Sequence, residues 1–179
     1  MGKYIDKMRG WIDTFSEDVA AVKKLVEASG APAEARAQAA AALNYLVTRM
    51  DLIPDWEETC GVIDDAMILR VSAAIAADKG AGSALDGAAG ATVARLANEA
   101  EVVSEFLGPV LYPKLKKYTV DLVGKEVRGR KPAAIVDDAK ARTSLYTEIE
   151  EELRRLPPAP MSDPDGVERT IKNYLSQKL

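Results

Sequence analysis

Four aspartates are the side chains of this 179-residue chain whose type and spacing could do chemistry. Asp51 and Asp55 enclose the segment Leu52-Ile53-Pro54, and Asp64-Asp65 follow shortly afterwards. Carboxylate oxygens are the ligands that Mg²⁺ and Ca²⁺ prefer, although the spacing matches no EF-hand loop. A carboxylate pair could also act as acid and base in hydrolysis, but nothing nearby resembles a sugar-binding cleft. We favour a structural interpretation, in which these side chains cap helices and tie down loop backbone.

The amino-acid composition excludes most other catalytic systems. The chain has no histidine and one cysteine, Cys60. Serine and cysteine nucleophiles activated by imidazole, and zinc sites built from histidine or several thiolates, are therefore excluded. Cys60 is predicted to be a small buried hydrophobic residue, and a lone cysteine fits a reducing compartment. The net charge of −4 argues against a protein that coats nucleic acid.

Apolar residues recur at three- and four-residue steps along most of the chain, which predicts amphipathic helices. Six helical patterns are found, over residues 4–26, 32–47, 63–75, 91–107 and 135–156 and from Ser162 onward. Gly108-Pro109 and Pro157-Pro158 are expected to end two of them. No segment alternates with a period of two. The fold is therefore predicted to be all-α, a multi-helix bundle.

Composition also divides the chain. Residues 80–90 are rich in glycine and alanine and are predicted to form a hinge. The hinge separates a helical region at residues 1–79 from a second helical region at residues 91–179. We expect the two regions to pack together as one compact domain.

The aspartates are expected to lie at a helix–corner–helix unit spanning residues 43–78. Pro54 fixes its own φ and forces the preceding residue to be extended, so the second helix must end before it. Asp55 has the spacing of an N-cap that shares a capping box with Glu58. Gly61 permits a tight backbone. Asp64-Asp65 fall in the first turn of the next helix, where negative charge is stabilising.

The order and spacing of these residues resemble a known protein family. The shared positions are Tyr45-Leu46, Asp51 to Asp55, Gly61 and Asp64-Asp65. They resemble the YkvA-like family of uncharacterised, mainly bacterial helical proteins, DUF1232. The similarity covers about a fifth of the chain. It implies a small helical fold, and in some members membrane association, but no agreed reaction.

The chain departs from the family pattern at the tip of the corner. Family members often have Ser-Pro before the first aspartate and an apolar Phe-Ile-Pro after the second. Here the corresponding positions hold Thr48-Arg49 and Trp56-Glu57-Glu58. The apolar tip is reduced to Trp56, so membrane contact through this loop is not expected.

A basic stretch at residues 109–131 is the other uneven feature. Its cationic side chains are Lys114, Lys116, Lys117, Lys125, Arg128, Arg130 and Lys131. The favoured interpretation is a solvated face, or a segment that docks onto the acidic residues 51–65. The alternative is a patch for an anionic partner, either lipid headgroups or, with less support, RNA or DNA.

Taken together, these patterns predict a cytoplasmic, non-enzymatic adaptor or accessory protein that acts through protein–protein contacts and needs no cofactor. One alternative is a carboxylate-based enzyme with Mg²⁺ or Ca²⁺ at Asp51, Asp55, Asp64 and Asp65. Another is peripheral binding to an anionic membrane, such as the inner membrane face, through the basic stretch. No uncharged run approaches the roughly 20 residues that span a bilayer. The partner, any substrate and the oligomeric state are not specified.

Overall fold

The computed structural model describes residues 2–48, 51–57, 60–156 and 163–179. Within these residues the chain forms eight α-helices and no β-strand, which confirms the predicted all-α fold. The helices are α1 (Lys3–Asp13), α2 (Phe15–Glu27), α3 (Ala33–Tyr45), α4 (Ile63–Asp78), α5 (Gly87–Asp121), α6 (Pro132–Asp137), α7 (Ala139–Leu153) and α8 (Pro164–Lys178).

Helix α4 lies at the centre of the bundle, and its inward and outward faces are both buried. It packs most extensively against α5 and α3, and it also contacts α1 and α2. Alanine side chains on α3, from Ala39 to Ala42, are all buried, and their small size lets the two helix axes approach closely. One hydrophobic core contains side chains from all eight helices. The aspartate-bearing loop between α3 and α4 therefore enters the middle of the protein.

Two of the predicted long helices are each two helices in the structure. The first breaks at Thr14, whose hydroxyl donates to the Gly10 carbonyl and to Asp18. The apolar period runs through this break because Trp11 and Phe15 both face the core. The other breaks at Asp138, whose carboxylate accepts a hydrogen bond from the Lys140 backbone N–H and caps α7.

Helix α5 continues beyond its predicted end. Gly108 has φ 71° and ψ −174°, which interrupts the helix as expected. Pro109 then occupies the first position of a new helical segment, where its missing N–H costs nothing, and this segment runs to Asp121. Half of the basic stretch is consequently helical rather than loop.

The predicted start of the last helix is confirmed at Asp163, whose carboxylate accepts a hydrogen bond from the Gly166 N–H at 3.1 Å. Ser162 and the predicted terminator Pro157-Pro158 lie outside the described residues. Between α4 and α5 a 3₁₀ turn spans Ala81–Ser83, and α5 already begins at Gly87. None of the helices described is long and apolar enough to cross a membrane.

Candidate cation site and the adjoining groove

Three of the four predicted aspartates converge. Asp51, Asp64 and Asp65 each offer a carboxylate oxygen, and these oxygens lie within 4.8 Å of one another. The residues are 4 %, 1 % and 8 % exposed, respectively, so the group is almost closed to solvent. Asp55 is exposed and does not join them. We call Asp51, Asp64 and Asp65 the aspartate cluster.

The loop between α3 and α4 carries the cluster into the core. Leu52 and Ile53 are buried, as predicted, and they take the adjacent Asp51 inward with them. The loop then turns tightly, with the Gly61 N–H donating to the Glu57 carbonyl at 2.8 Å. A Cβ at position 61 would approach the carbonyl oxygens of Pro54 and Glu57 to 2.9 Å, so the turn requires glycine. This close turn brings Asp64 and Asp65 back beside Asp51.

Asp64 ties the loop to the start of α4. Its Oδ2 accepts hydrogen bonds from the Ile53 N–H at 3.1 Å and from the Tyr45 hydroxyl at 2.5 Å. The Tyr45 hydroxyl oxygen in turn accepts from the Leu52 N–H at 3.0 Å. The predicted role of these aspartates as ties for loop backbone therefore applies to Asp64 Oδ2.

The predicted helix cap is wrong in one respect. The N-cap of α4 is Val62, which makes no side-chain capping bond, and Asp55 lies several residues before it. The reason is that turns within residues 54–61 separate Asp55 from the helix. Glu58, the other half of the predicted capping box, lies outside the described residues.

The remaining carboxylate oxygens of the cluster are buried and have no hydrogen-bond partner among the residues that the structure describes. They are both oxygens of Asp51, Oδ1 of Asp64 and Oδ1 of Asp65. None of the ion pairs formed by the described residues includes these three side chains. An unpaired buried carboxylate is costly, because desolvation penalises its charge. The cluster is thus an all-oxygen donor set with no ion-pair partner among the described residues, and the charge of Lys125 offsets the effect of burial on Asp51 only in part.

Burial controls the acid–base behaviour of the cluster. It raises the pKa of Asp51 to about 9, with the Asp64 and Asp55 charges adding to the effect. It raises the pKa of Asp64 to about 7, against the opposing hydrogen bonds from Tyr45 and Ile53. The pKa of Asp65 is raised well above its ordinary value, again mainly by burial. Without a cation, the cluster therefore retains protons at neutral pH, and a bound cation would displace them.

A groove of about 380 Å³ adjoins the cluster and shares Asp65 with it. Its apolar walls come from Phe15, Leu46, Val62, Ile149, Leu153 and Leu156. Asp55, Trp56, Glu152 and Arg155 line its polar rim, and Trp56 is 67 % exposed. The helical period of residues 135–156 predicted that Ile149, Leu153 and Leu156 share one apolar face. It could not predict that this face lies opposite the α3–α4 loop.

A second group of buried charges was missed by sequence reasoning. The Arg70 guanidinium bonds Asp18 at 3.1 Å and Glu99 at 2.8 Å, and Arg95 pairs with the same two carboxylates. We call these four residues the arginine network. One signal was available, because Arg70 is the only charged residue within the otherwise uncharged segment 66–77.

The basic stretch does not form one patch. Arg128 and Arg130 both pair with Glu148 of α7 at 2.7 Å, and Lys117 pairs with Asp121 at 2.5 Å. The ammonium of Lys125 lies 5.9 Å from the Tyr118 ring centre. The remaining members, Lys114, Lys116 and Lys131, are exposed. The stretch therefore docks partly onto α7 through Arg128 and Arg130, while the positive charge of Lys125 acts on Asp51 and lowers its pKa.

Cys60 is buried, as predicted. Comparisons with protein families, curated proteins and solved structures find no match to this chain. Membership of the YkvA-like family stays a prediction that depends on the motif around the aspartates.

Proposed function

We propose that this protein is a non-enzymatic helical module that binds a hard divalent cation at Asp51, Asp64 and Asp65. One observation carries the proposal: four carboxylate oxygens of this cluster are buried and have no hydrogen-bond partner within residues 2–48, 51–57, 60–156 and 163–179. Native proteins pair nearly all such atoms, so each exception needs an explanation. A cation supplies that explanation for all four oxygens at once.

The separation of the oxygens supports a hard cation of moderate size. Two ligands about 2.4 Å from one ion lie at most about 4.8 Å apart, and Ca²⁺ takes oxygen ligands at about 2.3–2.6 Å. The cluster oxygens lie within that separation. Mg²⁺ binds at about 2.0–2.1 Å, and oxygens that lie within this limit can also meet at the smaller ion. The separation therefore fits either ion.

The burial of the cluster favours a structural ion over a catalytic one. A catalytic ion needs an open position for substrate, whereas these three residues are at most 8 % exposed. The ion would instead link Asp51, on the loop, to Asp64 and Asp65, on α4. The same loop carries Asp55 and Trp56 at the rim of the groove. Cation binding would thereby hold this loop in place along one side of the groove, which is open to another molecule. Such an arrangement fits an adaptor or accessory role.

Thermal unfolding of protein dialysed against a chelator tests the proposal. Adding Ca²⁺, Mg²⁺ or Mn²⁺ is expected to raise Tm, since a ligand at about 100 times its Kd adds about 2.7 kcal/mol to the free energy of unfolding. Asp51→Asn and Asp64→Asn should abolish the increase. Asp55→Asn is the matched control, because it removes an exposed aspartate from the same loop, and it should keep the increase. The absence of a shift with every ion, or an undiminished shift in Asp51→Asn, would contradict the proposal.

A further inference from the structure

The groove beside the aspartate cluster has the size and lining of a small-molecule site. Its volume of about 380 Å³ falls within the range of about 300–1,000 Å³ that is common for such pockets. Phe15, Leu46 and Ile149 are buried in its walls, and Leu153 and Leu156 are half-buried. These side chains can cover an alkyl chain or a ring, but they offer it no hydrogen bond.

The polar groups of the groove are mainly acidic. Asp65 lines the groove and is 8 % exposed. Its Oδ1 atom has no hydrogen-bond partner among the described residues. Asp55 and Glu152 lie at the rim. Arg155 is the single cationic side chain among the described residues of the lining, and its guanidinium lies 3.6 Å from a Glu152 carboxylate oxygen. The groove therefore combines apolar walls, two acidic side chains at the rim and one buried carboxyl group whose Oδ1 has no partner among the described residues.

We infer that this groove binds a small apolar molecule that carries a protonated amine, with the ammonium group beside Asp65. An ammonium that takes the place of the proton on the buried Asp65 would donate to the unpartnered carboxylate oxygen in a nearly dry site, where a charge-assisted hydrogen bond is strong. The exposed Trp56 ring at the rim adds a face that attracts cations. An oxyanion on the same apolar body would be repelled by Asp55 and Glu152 at the rim.

The inference stands on the groove and does not require a metal ion. It does predict competition, because Asp65 belongs to both the groove and the cluster. A divalent cation in the cluster would occupy the Asp65 carboxylate and should weaken binding of the amine. It should leave the binding of an uncharged molecule unchanged.

Three probes with the same eight-carbon chain separate the charge of the head group from the apolar body: octylammonium, 1-octanol and octanoate. Each is titrated into chelator-treated protein while tryptophan fluorescence is recorded. The chain has two tryptophans, so subtracting the titration of Trp56→Phe, which keeps only Trp11, isolates the signal of Trp56. We expect octylammonium to bind at least about tenfold tighter than 1-octanol, and octanoate to bind most weakly.

Two further measurements assign the preference to Asp65. Asp65→Asn should lower the affinity for octylammonium to that for 1-octanol and leave the affinity for 1-octanol unchanged. Asp55→Asn should keep most of the preference for octylammonium over 1-octanol. In the wild type, Ca²⁺ should lower the affinity for octylammonium and for neither of the other two probes. The inference is overturned if octanoate binds as well as octylammonium, or if no probe changes the Trp56 signal. If octylammonium binds and metal ions have no effect on the protein, the groove is supported and the proposed cation site is refuted. If metal ions raise Tm and octylammonium does not bind, the cation site is supported and the groove is refuted.

Discussion

The arginine network and the aspartate cluster both bury carboxylates against α4, but they differ in how the charge is balanced. In the network, Asp18 and Glu99 are matched by Arg70 and Arg95. In the cluster, three carboxylates face one another with no positive side chain paired to them among the residues described. Buried charge alone is thus a poor sign of function, because the buried pair Asp18 and Arg70 is balanced within the chain. Buried charge without a partner is the informative case.

The geometry of the network shows what a completed site looks like. Arg70 is fully buried, donates to the Ala66 carbonyl at 3.0 Å, and lies 4.1 Å from the centre of the Trp11 ring. The network thereby links α1, α2, α4 and α5, and its guanidinium groups are bonded on several sides. Such a site holds helices together through charges that are already paired. The cluster is more deeply buried than Glu99 and Arg95, but its carboxylates have no such partners among the described residues.

The same substitution should have opposite consequences in the two groups. Asp18→Asn leaves the buried Arg70 without one of its two carboxylates, and we expect it to lower the free energy of unfolding by about 3–5 kcal/mol. Asp51→Asn replaces a buried carboxyl group that is protonated without a cation and has no hydrogen-bond partner among the described residues, so in chelator it should cost less than about 1 kcal/mol or stabilise the protein. Urea denaturation of both variants in the same buffer measures the difference.

A matched surface variant calibrates this comparison. Glu34→Gln removes an exposed carboxylate that lies 3.9 Å from Lys79, and it should change stability by less than about 1 kcal/mol. Equal losses in Asp18→Asn and Asp51→Asn would show that the two groups are energetically alike and would break the contrast drawn between them.

Stability as a function of pH provides a second contrast. The pKa of Asp64 is raised to about 7 and that of Asp51 to about 9, so the folded state binds more protons than the unfolded state above about pH 4. Stability of the chelator-treated protein should therefore fall as pH rises through these values. Asp64 alone should account for a loss of about 2–3 kcal/mol between about pH 5 and about pH 8, and Asp51 should add to it.

A saturating divalent cation should reverse this dependence, because the ion replaces the protons and favours the ionised carboxylates. Thermal melts across the pH series, with and without Ca²⁺, provide the measurement. Asp51→Asn should flatten the chelator series. A wild-type Tm that rises with pH in chelator would mean that the cluster carboxylates are stabilised as anions by the protein itself.

Most helices were predictable because apolar residues that recur about every 3.6 positions can be recognised within a short segment of sequence. The breaks at Thr14 and Asp138 were not, because the apolar face continues on both sides of each break and only tertiary packing decides whether the helix bends. The continuation of α5 beyond Gly108 was missed because Pro109 reads as a terminator, although proline is equally suited to the first position of a new helix.

The candidate site was predictable in part for a similar reason. The motif located all four aspartates, and Leu52-Ile53 correctly indicated that the loop would turn inward. Local sequence did not distinguish Asp55, which remains on the rim, from Asp51, which is buried. The arginine network joins residues from Asp18 to Glu99, and the groove joins Phe15 to Leu156. Both depend on helix packing, which no short segment specifies.

Tyr45→Phe tests the one part of the aspartate cluster that is internally satisfied. The hydroxyl accepts from the Leu52 N–H and donates to Asp64, so its loss leaves a buried backbone N–H without a partner. We expect a loss of about 1–3 kcal/mol in urea denaturation, smaller than the effect of Asp18→Asn. Tyr118→Phe is the control, because its ring packs edge-on against Tyr45 and the substitution preserves that contact.

The response of Tyr45→Phe to metal ions then separates support of the loop from cation binding. The tyrosine hydroxyl engages Asp64 Oδ2, whereas the unpartnered oxygens belong to Asp51, Asp65 and the other side of Asp64. If those oxygens hold the ion, Tyr45→Phe should keep the rise in Tm with Ca²⁺ while starting from a lower Tm. If the variant is less stable and its Tm no longer rises with Ca²⁺, the hydroxyl is needed to hold Asp64 in place. Ion binding by the cluster would then depend on the hydrogen bond from Tyr45 to Asp64, just as the arginine network depends on its ion pairs.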